Sequence, residues 1–393
     1  MVPKITLNDI CEKKVQMLSS QYDGEIEYID ISSINNERKT ITSTQTINAK
    51  EAPSRAKQLI QYGDILISTV RPNLNAIALV EKESDSLLVA STGYCVLRCY
   101  DRVDKHYVFH FCQSPAFVDK LASQATGASY PAVTNAIVKK CLIPLPSIAE
   151  QHKISAILDK VNDLITLRKQ QLAKLDELVK ARFVEMFGDP ETNPMQWGIV
   201  NISEVIAAKV SNGFFAKRDA YCDDGNIQVL GVANIVNRMY SNINNLPRTN
   251  GSEGDIAKYS VKYGDMLFCR SSLVEEGIGK ASIVPHNVPT NVLFECHVIR
   301  LPLNLTKCVP EFMQVLSTTK FFRKQIIAQS KTATMTTIGQ DGILKTQIIL
   351  PPLELQNGFL RFIEKIQSSK LTIQQSLDKL EVLKKALMQE YFG

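Results

Sequence analysis

His106 and His110 stand four residues apart with Cys112 nearby, a spacing that can set metal ligands on one helical face. Their neighbours are Tyr107, Val108, Phe109 and Phe111, and no second ligand pair accompanies them, so packing histidines are expected rather than a metal site. Gly277-Ile278-Gly279-Lys280-Ala281 has the glycine-lysine end of a phosphate loop but lacks its first glycine and its Ser/Thr, and reads as a tight turn. Asn193-Pro194-Met195 and Asp189-Pro190-Glu191 echo the N/D-P-P-Y/F segment of an adenine methyltransferase without completing it, and neither a cofactor loop nor a Pro-Asp nuclease core is present. Ser68, Ser271 and Ser272 lack a G-x-S-x-G elbow and any sequence hint of a base, which leaves them hydroxyl roles in turns. Every reaction class lacks a part, so no catalytic residue, metal or cofactor is expected.

What organises the chain is an internal repeat, which sets the architecture before any single motif is interpreted. Residues 61–68 recur at 262–269 with Tyr-Gly-Asp retained and the apolar positions after it matched. Residues 28–34 align with 229–235 at the same offset, and residues 5–10 resemble 200–205. Residues 126–188 align without a gap onto 331–393, with 17 of 63 positions identical. Identities include Leu145-Pro146 with Leu350-Pro351, Gln151 with Gln356, and Phe187-Gly188 with Phe392-Gly393; the sequence ends where its second copy ends.

At 393 residues the chain exceeds the usual size of one hydrophobic core, so two domains are expected. The hydrophobic content of 45% and charged content of 22% are those of an ordinary folding protein. A formal charge of +5 permits a nucleic-acid partner but does not nominate one. No secretory signal opens the chain and no apolar run is long enough for a bilayer, so no membrane partner is expected. Nine cysteines without a C-x-x-C pair suggest reduced thiols in the cytoplasm.

The two variable regions, 1–146 and 191–351, alternate short apolar runs with Gly, Pro, Asn and Asp, and contain helical stretches at 108–122 and 311–328. The fold class is therefore α+β, with two mixed domains. The shared tails, 147–190 and 352–393, differ: apolar residues recur at alternating steps of four and three. The first seam runs Ile154, Leu158, Val161, Ile165, Leu172, Leu175, Val179 and Met186, interrupted at Arg168 and Arg182. The second runs Phe359, Ile363, Ile366, Ile373, Leu377, Leu380, Leu387 and Tyr391, interrupted at Lys370 and Lys384. A helix over 150–187 would span about 57 Å at 1.5 Å per residue, longer than a small domain, and needs a partner. The two tails are each other's obvious partner, as an antiparallel coiled coil relating the halves by a pseudo-two-fold axis. Phe183, Phe187 and Phe392 near the helix ends can pack on an adjoining domain or on another subunit, and the sequence favours neither.

This layout, with Leu145-Pro146-Ser147-Ile148-Ala149-Glu150-Gln151-His152-Lys153-Ile154 matching an L-P-P-L-x-E-Q-x-x-I segment, resembles the specificity subunits of Type I restriction-modification systems. Ala125-Thr126-Gly127 and the Tyr-Gly-Asp strand look like features of the same family. The resemblance covers the whole chain, although Leu355 stands where glutamate is usual and Ser147 where a second proline is usual. It implies a non-catalytic subunit in which each variable domain reads one half of a split double-stranded DNA target while the helices act as a ruler. It also implies two methyltransferase subunits docked on the helices and translocase-nuclease subunits that complete the restriction enzyme. S-adenosylmethionine, ATP and Mg would then belong to those partners.

Under this reading the DNA-binding candidates are loops after the matched strands, where Arg, Lys, Asn, Ser and Thr can combine phosphate anchors with base-edge contacts. They are Arg71, Asn73 and Asn75 after the first strand, and Arg270, Ser271 and Ser272 after the second. The matched segments 129–134 and 331–337 add Ser129, Tyr130, Thr134, Lys331, Thr332 and Thr334, and Lys217-Arg218 adds a basic spot. One alternative, a silent specificity cassette, keeps the fold and changes its use; another, from a different class, is a coiled-coil adaptor without DNA-reading activity.

Overall fold

Gly63 and Gly264 share a φ of +90°, a left-handed conformation that glycine adopts without strain, and each starts a buried strand in a computed structural model that describes residues 2–84 and 86–393. After each glycine an aspartate folds back on its own turn. Asp64 accepts the Gln61 N–H at 2.9 Å and Asp265 accepts the Lys262 N–H at 3.0 Å. The strands that follow, Ile65–Ser68 and Asp265–Cys269, are buried at every position, which is why they read as continuous apolar runs rather than alternating ones.

The chain divides into two units, one of residues up to Gln170 with Gln374–Gly393, the other Gln171–Ile373. In the first unit, Ile65–Ser68 pairs antiparallel with Tyr94–Leu97 and Ile77–Leu79. A second sheet places Glu25–Ile29 between Gln45–Asn48 and a parallel Leu87–Ser91, which also pairs with Ala56–Ile60. In the second unit, Asp265–Cys269 lies between Val298–Pro302 and Ala281–Ile283, all antiparallel. Ile227–Leu230 there pairs in parallel with Val292–Phe294, repeating the parallel pairing of the first unit. Both units are thus mixed helix and strand.

The helical stretches expected at 108–122 and 311–328 are each two helices. The first breaks between Lys105–Phe111 and Pro115–Ser123, where the Ser114 hydroxyl accepts the Phe117 N–H and proline opens the next turn. The second breaks between Pro310–Ser317 and Lys320–Ala328, where Thr319 caps the Phe322 N–H. Apolar periodicity runs through both breaks because the cap changes helix direction without interrupting core positions.

Two helices of 40 residues, Ile148–Phe187 and Leu353–Phe392, each begin in one unit and end in the other. In the first unit Ile154 and Leu158, near the start of one helix, share a core with Met388 and Phe392 at the end of the other. Phe392 packs 5.2 Å from Tyr107 and 5.8 Å from Phe111. In the second unit Phe187 packs 4.9 Å from Phe312 and 5.6 Å from Phe359, with Phe183 stacked 5.6 Å from Phe312. All three phenylalanines left open by the sequence therefore pack within the chain itself. Of the seam positions, Ile154, Leu158, Val161, Val179, Phe359, Ile363, Ile366 and Leu377 are buried. Ile165, Leu172, Leu175, Met186, Ile373, Leu380, Leu387 and Tyr391 are half-buried.

The repeated glutamine fastens each helix start to its unit. Gln151, 2% exposed, accepts the Asp104 N–H at 3.1 Å and donates to the Pro146 carbonyl at 2.9 Å. Gln356, 0% exposed, accepts the Val309 N–H at 2.8 Å and donates to the Pro351 carbonyl at 2.8 Å. Truncating either glutamine leaves a buried N–H and a carbonyl unpaired, at a cost of about 1–3 kcal/mol. Gln151→Ala and Gln356→Ala should each lower an unfolding transition by ~2–10 °C in scanning calorimetry; unchanged transitions would show the anchor to be dispensable.

Candidate nucleic-acid interface

Beyond Ile65–Ser68 the chain leaves the sheet through Thr69 and Val70 and is stitched to a distant loop. Val133 N–H donates to the Thr69 carbonyl at 2.9 Å, Arg71 N–H donates to the Pro131 carbonyl at 2.7 Å, and Ala132 bridges to Val70. Arg71 and Asn75, with φ of +48° and +47°, bracket a short 3-10 turn at Pro72–Leu74. Non-glycine residues adopt this conformation at a cost, so the surrounding bonds hold the turn in place.

The result is a cluster in which the Arg71 guanidinium lies 4.7 Å above the ring of Tyr130 and donates to the Ser129 carbonyl at 3.5 Å. Tyr130 is 69% exposed, and Arg71, Asn73 and Ser129 are exposed beside or near it. A cation over an aromatic face both fixes the arginine and leaves its outward N–H groups available. Two neighbouring candidates are occupied locally. Asn75 donates to the Cys112 carbonyl at 3.4 Å while its own carbonyl accepts Lys39 Nζ, and the Thr134 hydroxyl caps the helix Asn135–Lys139 by accepting the Ile137 N–H.

The second unit makes the corresponding junction with a small sheet. Ser271–Ser272 pairs with Thr336–Thr337, which pairs with Lys331–Thr332. Arg270 is held by its backbone to His297 and Ile338 and by its guanidinium to the Cys296 carbonyl at 3.1 Å. Ser271 Oγ lies 2.6 Å from His297 Nδ1, a pair that sequence spacing does not reveal because 26 residues separate them. Among the described residues no carboxylate is bonded to His297, so the pair lacks the third member of a catalytic triad. Lys331, Thr332 and Thr334 are exposed and Ser272 half-exposed. Lys217 and Arg218 are exposed on a 3-10 turn, with neither side chain hydrogen-bonded or ion-paired among the described residues. They are not drawn into the Ser271 sheet.

Leu273, 83% exposed, follows Ser272 at this edge with Val274 also exposed. Only its apolar character between Ser271-Ser272 and Glu275-Glu276-Gly277 could have flagged it in the sequence.

The sequence echoes of chemistry take structural places. His110 Nε2 is 2.7 Å from Asp159 Oδ1 and His106 Nδ1 is 3.7 Å from the same carboxylate. Burial opposes ionisation of Asp159, yet the hydrogen bond and charge of His110 leave its carboxyl below the ordinary range. Among the described residues no group of three or more His, Cys, Asp and Glu could hold a metal ion. Gly279 has φ +61° and its Cα approaches Ile326 too closely for a side chain. Asn193 closes a local turn on Trp197.

Comparisons agree with this layout. The model of the family described as "Type I restriction modification DNA specificity domain" matches residues 2–177 and again 194–384. The specificity subunit of the Type I restriction enzyme EcoKI of Escherichia coli (strain K12) is 21% identical over 391 residues, covering 95% of this chain and 82% of that protein. That of StySPI from Salmonella potsdam is 22% identical with the same coverage. The crystal structure of a Type I restriction-modification S subunit from M. genitalium superposes with a TM-score of 0.59 at 12% identity, over 100% of this chain and 96% of that one, a likeness of fold. With the family's domain matched twice across most of its length, the chain belongs to the Type I restriction-modification DNA specificity family.

Proposed function

We propose that the chain is the non-catalytic DNA-reading subunit of a Type I restriction-modification enzyme, each half recognising one part of a bipartite target and directing adenine methylation or restriction by partner subunits. The observation that carries this reading is the repeated junction. In both units the loop after the Tyr-Gly-Asp strand is tied to the segment before the long helix, and each junction presents arginine and hydroxyl groups, with the Asn73 amide added in the first and Lys331 in the second. Such groups supply phosphate anchors and base-edge hydrogen bonds. Arg71, Asn73, Ser129 and Tyr130 would read one half-site; Arg270, Ser272, Lys331, Thr332 and Thr334 the other. Residues 1–146 and 191–351 are then the recognition domains, and 147–190 and 352–393 an antiparallel coiled-coil spacer.

Leu167, Leu178, Leu371, Val382 and Leu383 are exposed on the long helices, which supports docking of two methyltransferase subunits there, with translocase-nuclease subunits joining them. S-adenosylmethionine, ATP and Mg are assigned to those partners. Among the described residues no helix is long and apolar enough to cross a membrane.

Mapping methylated adenines in cells that carry this chain with its methyltransferase subunits, against cells lacking only this chain, tests the reading. A split motif with a fixed gap should appear only with the chain; an unchanged methylome would refute it. Arg71→Ala should relax one half of that motif and Arg270→Ala the other, by ~1–3 kcal/mol of discrimination where the arginine bonds a base bidentately. Relaxation of both halves by one variant would break the assignment of one domain to one half-site. Deleting one heptad from both helices removes about 10.5 Å, so the preferred gap should shorten by about three base pairs. An unaltered gap counts against the ruler.

A further inference from the structure

In the second unit a cavity of about 720 Å³ opens where the globular part meets the long helices. Its wall is basic. Lys180 and Lys370 line it from the helices, Arg238 and Lys280 from loops, and Arg323 from the helix Lys320–Ala328. Its one lining carboxylate, Asp176, is bonded to Lys370. Lys280 Nζ donates to the Asn237 amide oxygen at 2.7 Å, and Arg323 donates to the Glu276 carbonyl at 3.2 Å while its other terminal nitrogen is buried without a partner. Among the described residues, Lys180, Arg238, Lys280 and Arg323 have no carboxylate partner.

The same corner of the first unit is also over-supplied with cations, from different residues. The loop carrying Lys39 matches the 237–240 loop in the repeat, and Lys384 stands where the second unit has Val179. Half-buried Lys39 donates to the Asn75 carbonyl at 2.5 Å; burial, and then the neighbouring Lys384, pull its pKa down to about 8. Lys384 is pulled down by its own burial and by Lys169, whose ion partner Glu381 is 3.6 Å away. Each corner holds one carboxylate, Asp176 or Glu381, already bonded to a lysine, so the cations outnumber it and an arriving anion lowers the energy of the site.

We propose that this basic corner, present in each unit at the repeat-related junction of globular part and helices, seats phosphates of the DNA backbone. The inference rests on the DNA-reading assignment and adds a place where the duplex is held rather than read. DNA is favoured over an acidic protein segment because Arg323 spans from the cavity to the carbonyl of Glu276, in the loop that continues from Arg270–Ser272. A duplex touching Arg270 would run its backbone beside that loop. Phosphate contacts fix register and orientation without sequence information.

The test uses the assembled methyltransferase with Arg238→Gln/Lys280→Gln, and separately Lys39→Gln. Binding of cognate and unrelated duplexes is measured against salt concentration, with melting curves to verify folding. Affinity should fall several-fold and equally on both duplexes, the slope of log K against log salt should become shallower by about 0.9 for each phosphate no longer neutralised, and the methylated motif should stay the same. An unchanged slope in correctly folded variants overturns the proposal, as does an altered motif, which would make these residues base readers. Weakened assembly with the methyltransferase subunits at an unchanged slope would identify an acidic protein surface as the occupant and equally overturn it. A wild-type complex that recognises no split motif would instead refute the specificity-subunit reading itself.

Discussion

Burial of the long-helix ends is the constraint on which the packing of each unit depends. An isolated helix is marginal in water, and its persistence comes from covering its apolar face. Along the middle of these helices the seam is only half-buried at Ile165, Leu172, Leu175 and Ile373. At the ends, Phe187 and Phe392 are enclosed by aromatic partners, and Gln151 and Gln356 are hydrogen-bonded through both the oxygen and the nitrogen of their amides. The helices are therefore fixed where they meet the folded units and comparatively lightly covered elsewhere.

The way the two copies diverge follows from what each side chain touches. Gln151 and Gln356 bond only to backbone groups, which survive substitution of the residue bearing them, so Asp104 and Val309 can differ while the glutamine stays. Phe187 and Phe392 touch side chains, and their surroundings have changed in concert: Phe312 and Phe359 stand where the first unit has Tyr107 and Ile154. The Tyr-Gly-Asp turn likewise keeps its glycine and the backbone N–H that donates to its aspartate, while the aspartate's outer partner differs. Asp64 forms a bidentate pair with Arg98 at 2.7 and 2.8 Å. Asp265 has no such pair among the described residues, and burial pushes its carboxyl up, against the opposing Lys262 N–H and the Arg300 charge.

These regularities were legible in the sequence because they are repetitive and local: the apolar steps, the proline-led boundaries and the retained Gln and Phe. The two helix breaks were legible in principle, since Ser114-Pro115 and Thr318-Thr319 are cap signals, but the apolar pattern runs through them. The candidate site was less so. That 129–134 would lie against 69–71 depends on hydrogen bonds between chain segments about 60 residues apart, which no local pattern encodes. Residue type also gives capacity without use, as Asn75 and Thr134 demonstrate by being bonded within their own unit. Leu273 is exposed at the edge but carries no polar group to mark it, whereas Lys217 and Arg218 are basic and exposed yet stand apart from the cluster.

The first unit is completed by Gln374–Gly393, whereas the second is one continuous stretch of chain. During synthesis the second unit has all of its residues before the ribosome has added the segment that closes the first. Until then Tyr107, Phe111, Ile154 and Leu158 lack the ring of Phe392 and the side chain of Met388. From the making of Leu158 until that of Met388 and Phe392, the growing chain carries an apolar vacancy shaped for its own distant turns of helix. That vacancy has the shape to take the matching helix of a neighbouring chain in place of its own.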